Sequence, residues 1–341
     1  MTDAPSKVLI TGGHEVGGLS MFAEGLREGF AELSIPAEII PPASILSHWR
    51  DLRDPGVLKI LSTTAVFAAP LARRAICVAH ALPRPDVQGW LKTLGVLASF
   101  KLANLSLGCR LIAVSEYVAT HLRAICSVRI DAVIHNPLRS AFCEPWQSTE
   151  PRNYLTYVGR LVPAKNLHRM LPAMQQLLDD SPELRVCIIG SGPQLQQLQA
   201  AVQGEPRIEF VGALDALGVR KYLRKTRVFV SGCETEAFGL AYVEALSQGC
   251  AVAMPASGGG LEIAPAAIGT KIHLLPLSFH GADVLDVLWR AVKSTSLSVP
   301  LAGYTPKAVA AAYVKCDSQR LIETCTVWQD SQTVETGGDA H

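Results

Sequence analysis

Apolar positions along this chain keep two alternating rhythms. Lys7-Val8-Leu9-Ile10-Thr11 is a short apolar run, residues 12–18 break it with four glycines, and Leu19, Phe22, Leu26, Phe30 and Leu33 then return at helical spacing. This predicts strand, glycine loop and helix, the first half of a βαβ unit. Further apolar runs at Ala75–Ala79, 111–114 and 132–134, with helix-like stretches between them, predict a parallel sheet covered by helices. From 140 to 151 the rhythm lapses into Pro, Ser, Thr and Glu, the composition of a linker. It restarts with Tyr154–Val158, a helix through Leu167, Met170, Leu171, Met174 and Leu178, a strand at 186–189, and Gly190-Ser191-Gly192-Pro193 opening another helix. Strands at 208–211, 228–230 and 251–254 continue it. The pattern predicts an α/β protein with two Rossmann-like domains, 1–145 and 146–330, and a ligand cleft between them. The last helical stretch, from 305 to about 330, is expected to pack back on the first domain, and the small, polar segment 331–341 to fray.

Bulk composition narrows the function classes. A chain of 341 residues exceeds what one hydrophobic core usually holds, in keeping with two domains. With 49% hydrophobic and 18% charged residues and a formal net charge of +1, it lacks both the signature of disorder and the basic excess of a nucleic-acid binder. The nine cysteines are scattered and never spaced CxxC, fitting neither a disulfide framework nor a zinc knuckle, so they read as reduced thiols of a cytoplasmic protein. The first residues carry Asp3 and Pro5 ahead of an apolar strand, unlike a secretory signal, and export is not expected. Even the apolar stretch 61–72 contains Ser62, Thr63, Thr64 and Pro70, so any membrane contact is expected to be peripheral.

Charge is unevenly distributed. Residues 57–139 carry ten bases against three acids, a local net of +7, whereas the first 56 residues carry four bases and eight acids. Within the basic region, Trp90-Leu91-Lys92-Thr93-Leu94-Gly95-Val96-Leu97-Ala98-Ser99-Phe100-Lys101-Leu102 reads in two ways. It suits a helix lying on an anionic membrane surface, and equally a buried helix whose lysines snorkel outward.

Candidate chemistry concentrates near 231–246, where an apolar strand ends in Ser231-Gly232-Cys233-Glu234-Thr235-Glu236 and a helix is predicted after Phe238-Gly239-Leu240. The first N–H groups of such a helix suit an anion or sugar hydroxyls. Glu236 and Glu244 are eight residues apart, just over two helical turns, and project to one side if both are helical; two solvated glutamates satisfy the same spacing. Arg160 and Lys165 follow another predicted strand, and a guanidinium fork with a compact ammonium makes a clamp for a diphosphate, as well as an ordinary pair of surface cations.

The frame Glu236-Ala237-Phe238-Gly239 closed by Glu244-Ala245, with Gly159-Arg160 and Lys165, Gly190-Ser191-Gly192-Pro193 and Gly258-Gly259-Gly260, resembles the GT4 family of retaining, nucleotide-sugar-dependent glycosyltransferases with the GT-B fold. It departs from that family at Ala251, commonly proline, and near Ala256, commonly polar. The resemblance implies that Glu236 holds hydroxyls of the donor sugar, Glu244 the ribose, and the N–H groups of Phe238, Gly239 and Leu240 the sugar and phosphates. Arg160 and Lys165 would stabilise the leaving diphosphate without a metal, and with no D-x-D sequence in the chain the resemblance implies no metal or other cofactor. In the first domain, Gly17-Gly18 resembles the family's glycine pair beside the distal phosphate, and His80, at a strand end, its histidine against the transferred sugar; a turn glycine and a structural histidine are the plainer readings. The implied partners are a nucleotide-diphosphate sugar and a glycan or glycolipid acceptor, such as a lipid-linked or lipopolysaccharide intermediate, at the inner face of the plasma membrane. A nucleotide-sugar epimerase of the same architecture and a non-catalytic interaction protein with a degenerate site remain alternatives.

Overall fold

The computed structural model describes residues 4–13, 18–83, 85, 89–106, 108–144, 151–294 and 299–318. The chain runs β1 (Lys7–Thr11), α1 (Gly18–Glu32), β2 (Ala37–Ile40), α2 (Trp49–Arg53), β3 (Val57–Ser62), β4 (Ala75–Ala79), α3 (Trp90–Leu105), β5 (Cys109–Ala113), α4 (Glu116–Cys126) and β6 (Ala132–Val133). It continues with β7 (Tyr154–Val158), α5 (Leu167–Asp180), β8 (Arg185–Ile189), α6 (Leu195–Ala201), β9 (Ile208–Gly212), α7 (Ala216–Leu223), β10 (Thr226–Val230), α8 (Leu240–Ser247), β11 (Ala251–Pro255), β12 (Ile272–Leu275), α9 (Gly281–Val292) and α10 (Pro306–Ser318). Two compact units result: Met1–Pro137 with Ala302–His341, and Leu138–Leu301. The first cut therefore falls at 137/138, ahead of the expected 145. The second falls at 301, because the chain leaves the second unit there and α10 belongs to the first; segment 331–341 lies outside the described residues.

Each unit is built on one parallel six-stranded sheet. In the first the order is β2-β1-β3-β4-β5-β6, so the direction of winding reverses between β1 and β3. In the second it is β12-β11-β10-β7-β8-β9, the Rossmann order, reversing between β7 and β10. Strands buried on both faces read as predominantly apolar runs, which is why β1, β4, β7 and β8 are visible in the sequence. The pattern misses β2, β3 and β12. All six residues of β3 are buried, yet Lys59 and Ser62 interrupt its apolar run; Lys59 Nζ donates to the carbonyls of Asp54 and Val57 at 2.7 Å each, and Ser62 Oγ lies 2.9 Å from Thr11 Oγ1. Burial still pushes the Lys59 ammonium down to about 8.

In the first unit α10 lies against α1, and a Cβ on Gly29 of α1 would fall on the Pro306 carbonyl. Arg74 pairs with Asp317 of α10 at 2.6 Å, and Arg110 donates to the Cys316 carbonyl. With Lys59 buried and Arg139 committed elsewhere, the regional excess of +7 overstates the free positive surface. Lys92 and Lys101 on α3 are exposed. Among the described residues, no helix is long and apolar enough to cross a membrane.

Candidate functional site

In doubly wound sheets, loops diverge at the carboxyl ends of the strands where winding reverses, and a ligand can enter between them. In the second unit those loops follow β7 and β10, and they carry Arg160, Lys165 and Glu236. The first loop is pinned by Tyr157, whose hydroxyl donates to the Arg160 carbonyl at 2.8 Å, and by the Leu161 N–H on the Ser191 carbonyl at 2.8 Å. A short 3₁₀ segment, Pro163–Lys165, then ends at Asn166, in the left-handed region at φ 51°. Asn166 Nδ2 donates to the Gly232 carbonyl at 3.0 Å and joins the two loops.

Across that junction Lys165 Nζ meets Glu236 Oε2 at 2.5 Å, both side chains about a fifth exposed at 23% and 21%. Burial works against the Lys165 charge, but the Glu236 carboxylate outweighs it and the ammonium is held above its ordinary range. Glu236 is steadied from the other side by the Gly259 N–H, which donates to its carbonyl at 2.8 Å; a Cβ on Gly258, at φ 78°, would lie 2.6 Å from that same oxygen. Arg160 is exposed on the same loop, and its side chain has no partner among the described residues. The site therefore combines one constrained ion pair with one long, exposed cation, a donor set suited to anionic oxygens beside hydroxyls.

Glu236 and Glu244 do not lie on one helix. Gly239 takes φ 96°, so α8 begins at Leu240 and Glu236 stands in the loop before it. Phe238 is buried, while Tyr242 donates to Ser231 Oγ at 2.9 Å and fixes the start of α8 beneath the loop. Glu244 points into the protein: it is 2% exposed, and its Oε1 accepts Arg139 Nε at 2.8 Å and lies 2.7 Å from Nη2. Burial raises the Glu244 carboxyl and the Arg139 charge only partly offsets that. The Arg139 guanidinium rests 4.9 Å from the centre of the Phe142 ring. In the sequence Arg139 counts only among the regional charges; 105 residues separate it from its partner, and no local pattern announces the contact.

In the first unit His80 follows β4, as the apolar run predicted. Its N–H donates to Thr63 Oγ1 at 3.2 Å, and its ring meets Phe22 edge-on at 4.3 Å. Its Nε2 is buried without a partner among the described residues, and desolvation pushes the imidazole down to about 3, so it is neutral near neutral pH. Gly18 opens α1, and a Cβ there would meet no described atom within 4 Å, whereas Gly12 needs its missing side chain: a Cβ on Gly12 would lie 2.6 Å from the Ala23 Cβ. Gly17 lies outside the described residues. Among the described residues, no group of three or more His, Cys, Asp or Glu is placed to hold a metal ion.

Residues 140–272 match the family described as Glycosyl transferases group 1, a stretch within the second unit. Similar proteins include YqgM of Bacillus subtilis, named an uncharacterized glycosyltransferase, 31% identical over 138 residues, 40% of this chain and 38% of that one. The sulfoquinovosyl transferase SQD2 of Arabidopsis thaliana is 31% identical over 186 residues, 54% and 35% of the two chains. The gpi3 subunit of the phosphatidylinositol N-acetylglucosaminyltransferase of Schizosaccharomyces pombe is 29% identical over 151 residues, 43% and 33%. The matches thus span from 33% to 38% of the length of these relatives. Among solved structures, HepE of Anabaena in complex with UDP and glucose has a TM-score of 0.67 at 16% identity, covering 93% of this chain and 95% of that one. WaaG, a glycosyltransferase involved in lipopolysaccharide biosynthesis, has a TM-score of 0.64 at 13% identity, covering 92% and 95%.

Proposed function

We propose that this protein transfers a sugar from a nucleotide diphosphate to a lipid-linked or glycolipid acceptor, with retention at the anomeric carbon; the match of residues 140–272 to the glycosyl transferases group 1 family and the GT-B fold support this reading. The observation that carries this reading is the Lys165–Glu236 pair where the winding of the second sheet reverses, inside the matched stretch. The Glu236 carboxylate accepts hydrogen bonds from donor-sugar hydroxyls while Lys165 and Arg160 face the diphosphate. As the bond from the anomeric carbon to the phosphate oxygen breaks, negative charge grows on the diphosphate and both cations stabilise it. The acceptor hydroxyl attacks the face the diphosphate is leaving, and its proton passes to the departing phosphate oxygen, so no protein nucleophile and no metal is required. Glu244, whose Oε1 is held by Arg139, accepts from the ribose hydroxyls through Oε2, and the N–H groups of Phe238, Gly239 and Leu240 bind sugar and phosphate.

For the first unit we propose the acceptor role, with the neutral His80 ring and the Gly17-Gly18 pair as its substrate-binding residues. HepE's complex with UDP and glucose supports a nucleotide-sugar donor, and the names of the gpi3 relative and of WaaG support a lipid-linked or glycolipid acceptor. Such an acceptor implies a cytoplasmic protein working peripherally at an anionic membrane surface. The test is a panel of nucleotide sugars incubated with and without a membrane-lipid extract, in buffer containing a chelator. Acceptor-dependent release of nucleoside diphosphate, with an anomeric product of the donor's configuration by NMR, is the expected result. Conversion of the donor to another nucleotide sugar without acceptor would make the protein an epimerase, and no turnover across the panel would leave a binding protein.

A further inference from the structure

Helix α3 (Trp90–Leu105) is apolar on the side that water sees. Thr93, Phe100 and Ala103 are buried, against the 3₁₀ segment Thr63–Leu71 and β5, so the helix already has an inner face. Its outer face exposes Leu91 at 87%, Leu94 at 56%, Leu102 at 53% and Leu105 at 77%, and Trp90 at its start is 71% exposed. At 100° per residue these four leucines fall within an arc of about 80°, with Lys101 on one shoulder and Lys92 on the other. Phe67 and Leu71, on the 3₁₀ segment packed against the helix, are also half exposed. A helix with one buried face ordinarily turns charge outward. This one has no Asp or Glu from end to end.

We infer that the outer face of α3, with Phe67 and Leu71, docks on an anionic lipid bilayer, the helix lying in the plane of the headgroups. Sixteen residues make a rod of about 24 Å that is too short to span, and the leucines reach the acyl boundary while both lysines stay among phosphates. Charge decides between a bilayer and a second copy of the chain. Among the described residues neither Lys92 nor Lys101 has a carboxylate partner, and a second α3 offers none, so two copies would meet cation to cation. Anionic headgroups answer both charges. This deepens the reading of a lipid-linked acceptor and rests on it, but its test needs no turnover.

The experiment is flotation of the full chain with vesicles of phosphatidylcholine alone and of an equal mixture of phosphatidylcholine and phosphatidylglycerol. The protein should float with the mixed vesicles, weakly with the neutral ones, and less as salt rises from about 0.01 M to about 0.15 M. Replacing Leu91, Leu94, Leu102 and Leu105 with serine should weaken binding by roughly a hundredfold or more, because only exposed side chains change. Lys92→Gln with Lys101→Gln should weaken it about thirtyfold. Circular dichroism and donor binding should be unchanged in both variants, so a failure of the transferase reading would appear as absent donor binding in the parent protein. Equal flotation of parent and leucine variant would overturn the inference. So would a parent that sediments as a dimer, stays off the vesicles and becomes monomeric in that variant, which would make the face a contact between copies.

Discussion

Replacing Arg139 with methionine probes the buried pair at the start of the second unit. The side chains of Arg139 and Glu244 are 8% and 3% exposed; the guanidinium donates to Oε1 through Nε at 2.8 Å, and Nη2 lies 2.7 Å from the same oxygen. Methionine keeps the length of the stem but removes the guanidinium from above Phe142 and leaves the Glu244 charge without its counter-ion. Breaking a buried pair in this way costs about 3–5 kcal/mol. At roughly 2–4 °C per kcal/mol for a unit of this size, the midpoint should drop by about 6–20 °C. Burial already raises the Glu244 carboxyl in the parent. As pH rises, the unfolded chain therefore gives up this proton first, and the stability of the protonated form is lost through the window between the unfolded and folded values. Without Arg139 that window extends further upward, so the variant should fall furthest behind the parent at about pH 8 and least at about pH 5. Adding Glu244→Gln should recover most of the loss. Thermal unfolding followed by circular dichroism at both pH values reads all of this. A single variant within about 2 °C of the parent at both, or a double variant no better than the single, would refute the reasoning.

Steady-state kinetics, run well below the midpoint that loss of the Arg139 partner lowers, should separate the glutamates: Glu244→Ala should chiefly raise the donor KM, since ribose contacts persist from ground to transition state, and Glu236→Ala should chiefly lower kcat; identical signatures would contradict the division. His80 titrates at about 3 when folded, so the unfolded chain takes up the proton first as pH falls below about 6.5, and stability is lost from there downward. His80→Phe should flatten that acid limb in urea titrations, and an unchanged limb would remove His80 as its source.

The candidate residues could be named from the sequence because they travel in short motifs beside strand ends. The strand–glycine–helix alternation is strong wherever both faces of a strand are buried, as in β4 and β7, and fails at β3, where Lys59 and Ser62 satisfy their polar atoms internally. Lys165 and Glu236 stand 71 residues apart, and only the adjacency of β7 and β10 brings them together, so the motif named the residues but not their bond. Spacing misled for the glutamate pair, because Gly239 at φ 96° starts the helix late and leaves Glu236 in the loop before it. Arg139 was invisible as a partner for the opposite reason: it belongs to no motif, and its contact depends on how the chain enters the second unit. The glycine loop after β1 was legible as a loop, whereas the demand for Gly12 comes from Ala23 and Ile39 packed across it.

The central claim is that Lys165, against Glu236, receives the donor diphosphate. Titration calorimetry with UDP and with GDP on the full chain, parent beside Lys165→Ala, tests it most directly. Removing the ammonium deletes a charge-assisted hydrogen bond, worth about 1.5–3 kcal/mol, and leaves the Glu236 carboxylate facing phosphate. The parent should bind one of the two nucleotides, and the variant should bind it ten- to hundredfold more weakly. Binding of equal strength in both proteins, or no binding of either nucleotide to the parent, would contradict the account.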